Sequence, residues 1–294
     1  MKLLIFFLLM TVPSAGLTQT FTDLKRSIDA EFRKVEGVFG LAFFNLRTGE
    51  MLLINEREMF HAASTMKTPV MIEIFKWVKE GRLSLGDSIE VKNEFRSIVD
   101  GSSYQLDLSD DSDDSMYRRI GGKATIRELM YQMITVSSNL ATNILIDLVD
   151  AKNVSATMRS MGAVNIRVLR GVEDGQAFRK GLNNTTDAYD QMLILRAIAE
   201  GRAVDSASSK AMIDILFEQK FNDLIPALLP KNVRVAHKTG SITGVEHDCG
   251  VVFLADGRRY VLVILSKELK DVKGGKDVIA RVSKMIYDIV ERSH

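Results

Sequence analysis

The stretch 61-HAASTMKTPVMIEIFKW-77 opens an amphipathic helix whose first turn holds a histidine, two hydroxyl residues and a lysine. It admits two readings. Ser64 and Thr65 can serve as caps that satisfy the free N–H groups of the helix start. Alternatively Ser64 and Lys67, three apart and so on one face, are a nucleophile and its base. A serine hydroxyl attacks only when a neighbour takes its proton. A lysine can take it only when neutral, a state favoured by the positive end of a helix, a second cation and partial burial.

The chain changes character at this stretch. Upstream, Leu24, Ile28, Phe32 and Val35 recur at helical spacing, followed by two extended apolar runs, 38-VFGLAFFNL-46 and 51-MLLI-54. The Gly-containing 47-RTGE-50 between them is a hairpin signal. Downstream the pattern is helical for a long way. Thr125-Ile126-Arg127-Glu128 has the form of a capping box, followed by Leu129, Met130, Met133 and Ile134 on one face. A second stripe runs from Leu140 to Val149, and 187–199 and 208–217 read as further helices. Strands return in 233-VRVAHK-238, 250-GVVFL-254 and 260-YVLVIL-265, the last two joined by Asp256-Gly257, a strong hairpin pair. Val278, Ile279, Val282, Met285, Ile286 and Ile289 mark a final helix.

The expected fold is therefore α/β of the α+β kind, in two domains. An antiparallel β-sheet with flanking helices is built from both termini (19–61 plus 218–294), an all-α domain (62–217) is inserted, and the site lies between them.

The first residues, MKLLIFFLLMTVPSAGLTQT, join one lysine, an apolar run and small residues, the form of a secretory signal peptide over 1–18. The run is short for a stable membrane anchor, and no cysteine follows it to carry a lipid. A periplasmic or secreted bacterial protein is expected. The net charge of +1 includes Lys2, so the mature chain is close to neutral, which argues against nucleic-acid binding. With Cys249 as the single cysteine, the core has no internal disulfide. Nothing in the sequence asks for more than a monomer.

The segment 101-GSSYQLDLSDDSDDS-115 carries five aspartates but lacks the spacing, Gly and distal Glu of an EF-hand loop. It reads as a solvated surface loop that, with Ile242 and Thr243, shapes the rim of the site. His237 and His247, with Glu246, suggest zinc but lack familiar ligand spacing. His61 could imitate a Ser–His pair, although no Gly-x-Ser-x-Gly elbow exists. Cys249, in an apolar strand, reads as a buried, inert thiol.

Two further pieces carry chemistry. In 135-TVSSNLATN-143, Ser137, Ser138 and Asn139 interrupt two helical stripes, as a helix–helix turn would or as a proton relay would. In 237-HKTGS-241, Lys238 supplies charge, Thr239 a hydroxyl, and Gly240 close access to the backbone. Ser-x-x-Lys, then Ser-x-Asn roughly seventy residues on, then Lys-Thr-Gly about a hundred further, resembles the serine β-lactamases and penicillin-binding proteins. The text of 129-LMYQMITVSSNLATNILID-147 is similar to class A β-lactamases.

That resemblance implies a hydrolase that opens β-lactam rings, or a D,D-peptidase on cell-wall peptides or an esterase, with no cofactor or metal. It implies Ser64 as the acylated nucleophile, Lys67 as its base and Ser137 as proton donor to the leaving nitrogen. Lys238 and Thr239 would hold a substrate carboxylate, with Lys238 as the second cation beside Lys67. The N–H groups of Ser64 and Ser241 would form the oxyanion hole, and Asn139 would contact the substrate's amide side chain. Two departures stand out. Ser138 replaces the usual Asp of the second motif. The family's Glu-x-x-Leu-Asn loop corresponds to 170-RGVEDGQAFRKGLNNTT-186, where Glu173 and Leu182-Asn183 lie too far apart. Anchoring on Leu182-Asn183 places Arg179 at the glutamate position; anchoring on Arg170 and Thr185-Thr186 puts Glu173 within one residue of it, in a shortened loop, with Asp174 equally close.

Overall fold

A computed structural model describes residues 15–293 of the chain. Residues 1–14, most of the expected leader, lie outside the described residues.

Helix α1 (Ala15–Phe32) leads into strands β1 (Val38–Asn45) and β2 (Met51–Ile54). At the other end lie β3 (Arg234–Ile242), β4 (Val245–Phe253) and β5 (Arg259–Lys267), then α9 (Val272–Arg292). Between them run α2 (Lys67–Lys79), α3 (Ile126–Thr135), α4 (Asn139–Val149), α5 (Ala151–Ser160), α6 (Gly175–Arg179), α7 (Ala188–Ala199) and α8 (Ser206–Leu216). The five strands form one antiparallel sheet in the order β2-β1-β5-β4-β3. Both termini therefore contribute to it, as the alternation of apolar runs indicates.

The inner strands β1, β4 and β5 are buried on both faces, and their period of two sorts the core into two layers. Leu41, Phe43, Tyr260, Leu262 and Ile264 face α1 and α9, against Ile28, Val278, Ile279 and Val282. Ala42, Phe44, Val261, Val263 and Leu265 face the other way, into the core made by the middle helices. Phe43 stands opposite Leu262 in the β1–β5 register, so the two layers are fixed by one ladder.

The middle of the chain departs from the purely helical expectation. Short ladders pair Phe60–His61 with Thr185–Thr186, Ser88–Glu90 with Lys123–Thr125, and Phe95–Arg96 with Ser103–Tyr104. Two or three residues are too few to display a period, so such ladders leave no pattern in the sequence. The first ties the approach to Ser64 to the end of the 170–184 loop. The capping box is present as read: Thr125 Oγ1 accepts from Glu128 N (3.2 Å), and Glu128 Oε2 accepts from Thr125 N (2.7 Å).

Leu262→Ala removes a fully buried side chain from the α1/α9 layer. Chemical denaturation is expected to show a loss of about 2–5 kcal/mol.

Candidate active site

The Ser64 turn is not a helix cap. Ala63–Met66 form a single 3₁₀ turn ahead of α2, and neither its start nor that of α2 is capped by a side chain. Ala63 has φ of +43°, a left-handed conformation that a non-glycine residue adopts at a cost. Its N–H is held by Nδ1 of His61 at 3.0 Å, which gives His61 a positioning contact in place of a catalytic one. The strand β3 presses on this turn. A Cβ on Gly240 would stand 3.1 Å from the backbone nitrogens of both Ser64 and Thr65, so only glycine leaves the contact unstrained.

Lys67 is wholly buried under this turn. Its Nζ donates to Ser137 O (2.7 Å), Ser137 Oγ (3.1 Å) and Asn139 Oδ1 (2.9 Å). All three donors of the ammonium group thus point at the second motif, and none of these bonds goes to Ser64. Lys238, equally buried, donates to the same Ser137 Oγ (3.0 Å) and to Thr239 O (2.9 Å). The Ser137 hydroxyl is the bridge between two buried amines.

Burial lowers the Lys67 pKa to about 7, opposed by the negative charges of Asp111 and Glu173. Lys238 is also held well below the ordinary lysine range, first by burial and then by repulsion from Lys67. At neutral pH one of these amines can therefore hold a proton while the other offers a lone pair, with Ser137 Oγ between them.

The second motif sits on a strained turn. Ser137 has φ of +61°, and Ser138 caps α4 by accepting from Ala141 N (3.3 Å). Asn139 is spoken for within the protein. Its Oδ1 accepts from Lys67, and its Nδ2 donates to Glu173 Oε1 (2.8 Å) and Asp110 O (3.2 Å). A substrate amide would have to displace these bonds.

The 170–184 loop resolves the choice between its two carboxylates. Asp174 is buried as the cap of α6, accepting from Ala177 N (3.0 Å), Ser97 Oγ (2.9 Å) and Ile98 N (3.0 Å). It borders the same cavity as Glu173, but both of its oxygens are committed to these bonds. Glu173 lines the cleft, at φ of +62°. Desolvation raises its pKa, with Asp110 and Asp111 adding to the rise and the bond from Asn139 opposing it. Arg179 lies on α6 and is not among the cleft residues.

Asn143 and Asn184, which carry no motif, and the anchor Arg170 hold this loop in place. Asn143 of α4 clamps Val172, accepting from its N–H (2.7 Å) and donating to its carbonyl (3.0 Å). A Cβ on Gly171 would come within 2.6 Å of Asn143 Oδ1, which explains the glycine. Asn184 Oδ1 accepts from Leu169 N (2.8 Å) and Arg170 N (3.2 Å), and its Nδ2 donates to Arg170 O (3.0 Å). Arg170 closes the neck by donating to Leu182 O (2.9 Å) and Asn183 Oδ1 (3.1 Å). The available signal was polarity out of place: Asn143 falls among the apolar positions of a helix and is buried.

Two cavities meet at Ser64. One, of about 570 Å³, is lined by Asn139, Glu173, Ser241, Ile242 and Thr243; the other, of about 440 Å³, by Ser137, Thr239, Gly240 and Glu246. All nine residues singled out from the three motifs and the loop therefore converge on one cleft, with Lys67 and Lys238 as its buried floor. The acidic loop and the residues after the third motif shape the cleft as expected, with Asp110, Asp111 and Ser112 on its wall and Ile242 and Thr243 beside Ser241.

The zinc alternative fails on hydrogen bonding. His237 Nδ1 bonds to Asp248 (2.8 Å) and its Nε2 to Asn222 Oδ1 (3.2 Å). His247 Nδ1 accepts from Ser266 N (3.1 Å) while Nε2 donates to His61 O (2.9 Å), and burial lowers its pKa to about 4. No metal-binding cluster exists among the described residues. Cys249 is buried, and burial raises its thiol pKa well above the usual value.

Known proteins resemble this chain over most of its length. Residues 23–290 match the Beta-lactamase enzyme family. A β-lactamase of Bacteroides uniformis is 25% identical over 286 residues, covering 92% of each chain. Among solved structures, a β-lactamase from Sphaerobacter thermophilus superposes with a TM-score of 0.79 at 26% identity, covering 92% of this chain and 98% of that one. A PBP-A mutant described as an acyl-enzyme complex with penicillin G superposes with a TM-score of 0.78 at 31% identity, covering 92% and 97%.

Gly240→Ala should move the Ser64 turn by a few tenths of an ångström. The rate of Ser64 modification is expected to fall about 10–100-fold, because small misplacements of reacting groups are costly. Stopped-flow kinetics with a thermal-melt control checks this.

Proposed function

The chain belongs to the Beta-lactamase enzyme family, and from that premise we propose that it is an exported serine hydrolase that opens β-lactam rings through an acyl-enzyme on Ser64. The observation that carries the reading is the Lys67–Ser137–Lys238 bridge beneath Ser64. The PBP-A complex with penicillin G supports acylation on this scaffold.

In the acylation step neutral Lys67 takes the Ser64 proton as Oγ attacks the lactam carbonyl. Ser137 delivers a proton to the departing ring nitrogen and is resupplied across its bond to Lys67 or Lys238. The developing oxyanion is held by the N–H groups of Ser64 and Ser241. Preorganised donors of this kind are worth several kcal/mol at the transition state. β3 is the edge strand of the sheet, which leaves backbone groups free for an extended amide-bearing substrate. Lys238, Thr239 and Gly240 form the wall that receives the substrate carboxylate and its adjoining backbone.

Glu173 then acts as the base of deacylation. Its raised pKa suits it to take a proton from water, and Asn139 links its carboxylate to Lys67. The same reading divides the chain into a sheet domain (19–61 plus 218–294) and a helical domain (62–217), with the cleft at their seam. Residues 1–18 serve as a signal peptide, and no described helix is long and apolar enough to cross a membrane.

Ser64→Ala is expected to abolish opening of a chromogenic cephalosporin without loss of fold; undiminished turnover would overturn the assignment. Acylation by the native protein should rise with pH through about 7, because Lys67 must lose its proton to act as base. Lys67→Met should slow acylation by about 10²–10⁴-fold, in the range of general-base catalysis. A single-turnover pH–rate profile reads both effects.

A further inference from the structure

The turn that presents Ser137 is held from outside its own helix. A non-glycine residue at φ of +61° is strained and persists only where its surroundings over-determine it. Ser138, the cap of α4, reaches only Ala141 N. The first two N–H groups of the helix go elsewhere. Asn139 N donates to both carboxylate oxygens of Asp111 (2.9 Å each), and Leu140 N to Asp111 Oδ2 (2.9 Å). The flanking residues add to this hold. Asp110 O accepts from Asn139 Nδ2 (3.2 Å), and Ser112 Oγ donates to Val136 O (2.9 Å). Three consecutive residues of the acidic loop thus grip both sides of Ser137, from a position 28 residues earlier in the chain.

We propose that Asp111 is a positioning residue for acylation: its carboxylate caps α4 from the 101–115 loop and fixes the Ser137–Asn139 turn against Lys67. This rests on the proposed function for the meaning of acylation, but the placement of the carboxylate near Lys67 does not. The charged groups around Lys67 are Asp111 and Glu173, with Lys238 across Ser137 and Asp110 beside Glu173. Asp111 acts on the site in two ways. Its hydrogen bonds set the turn, and its negative charge favours the protonated form of Lys67.

Asp111→Asn separates these roles from mere scaffolding, since it keeps the shape and one acceptor but removes the charge. Two readouts are needed: single-turnover acylation by penicillin G across pH, and NMR titration of lysine labelled with ¹³C at Cε, with Lys67→Met identifying the Lys67 signal. The expected result is a 10–100-fold slower acylation on the pH plateau and a Lys67 titration displaced to lower pH, because loss of a nearby anion makes the ammonium more acidic. A slower rate with an unmoved Lys67 titration would mean a structural role only and would overturn the proposal. So would native behaviour in both readouts. Should Asp111→Asn not fold, Asp111→Glu keeps the charge on a longer arm. It is expected to slow acylation while leaving the Lys67 titration in place, and a native rate there would also overturn the proposal. If the native protein is not acylated by penicillin G, the functional reading fails, and the titration alone then decides the role of Asp111.

Discussion

Two buried lysines share one serine hydroxyl, and the rest of the site is arranged around that contact. Burying an ammonium group is expensive, and burying two within reach of one oxygen is more so. The structure tolerates it because every donor of Lys67 finds an acceptor and because Asp111 and Glu173 oppose the desolvation. A lysine with a pKa near 7 is half neutral under ordinary conditions, which makes it a base at a pH where a surface lysine would be inert. The price is rigidity: Ala63, Ser137 and Glu173 all sit at positive φ, each held by side chains from a different element.

The fold supplies that rigidity from two directions. β3, the edge strand, brings Lys238 to Gly240 against the Ser64 turn, and the two-layer core locks the sheet behind it. From the helical side, α4 does double duty. Its first residues contact Lys67 and Glu173, and one turn later Asn143 clamps the backbone immediately before Glu173. The groups assigned to the two chemical steps are thus referenced to one helix.

Much of this was legible in the sequence, and the limits have physical causes. The sheet was readable because 38-VFGLAFFNL-46 and 260-YVLVIL-265 are long enough to show strand character, and the start of α3 because Thr125 and Glu128 form a local capping box. The three motifs converge because each sits on an element whose type the pattern revealed. What stayed hidden depends on contacts distant in sequence. Nothing local distinguishes Glu173 from Asp174. The choice is made by Ser97, Ile98 and Ala177, which bind Asp174, and by Asn143, which orients Val172. The acidic loop reads as solvated because its composition is polar, yet Asp111 spends its charge on two N–H groups of α4. Asn139 reads as a substrate contact, and in the free protein its amide is instead the link between Lys67 and Glu173.

The most direct test is a time course of intact mass after mixing the native protein and Glu173→Gln with penicillin G. The two-step account expects a penicilloyl adduct on Ser64 in both. It should decay as hydrolysed drug accumulates in the native protein and persist in the variant. Equal lifetimes would remove Glu173 from deacylation, and the absence of any adduct on Ser64 would contradict the account at its root.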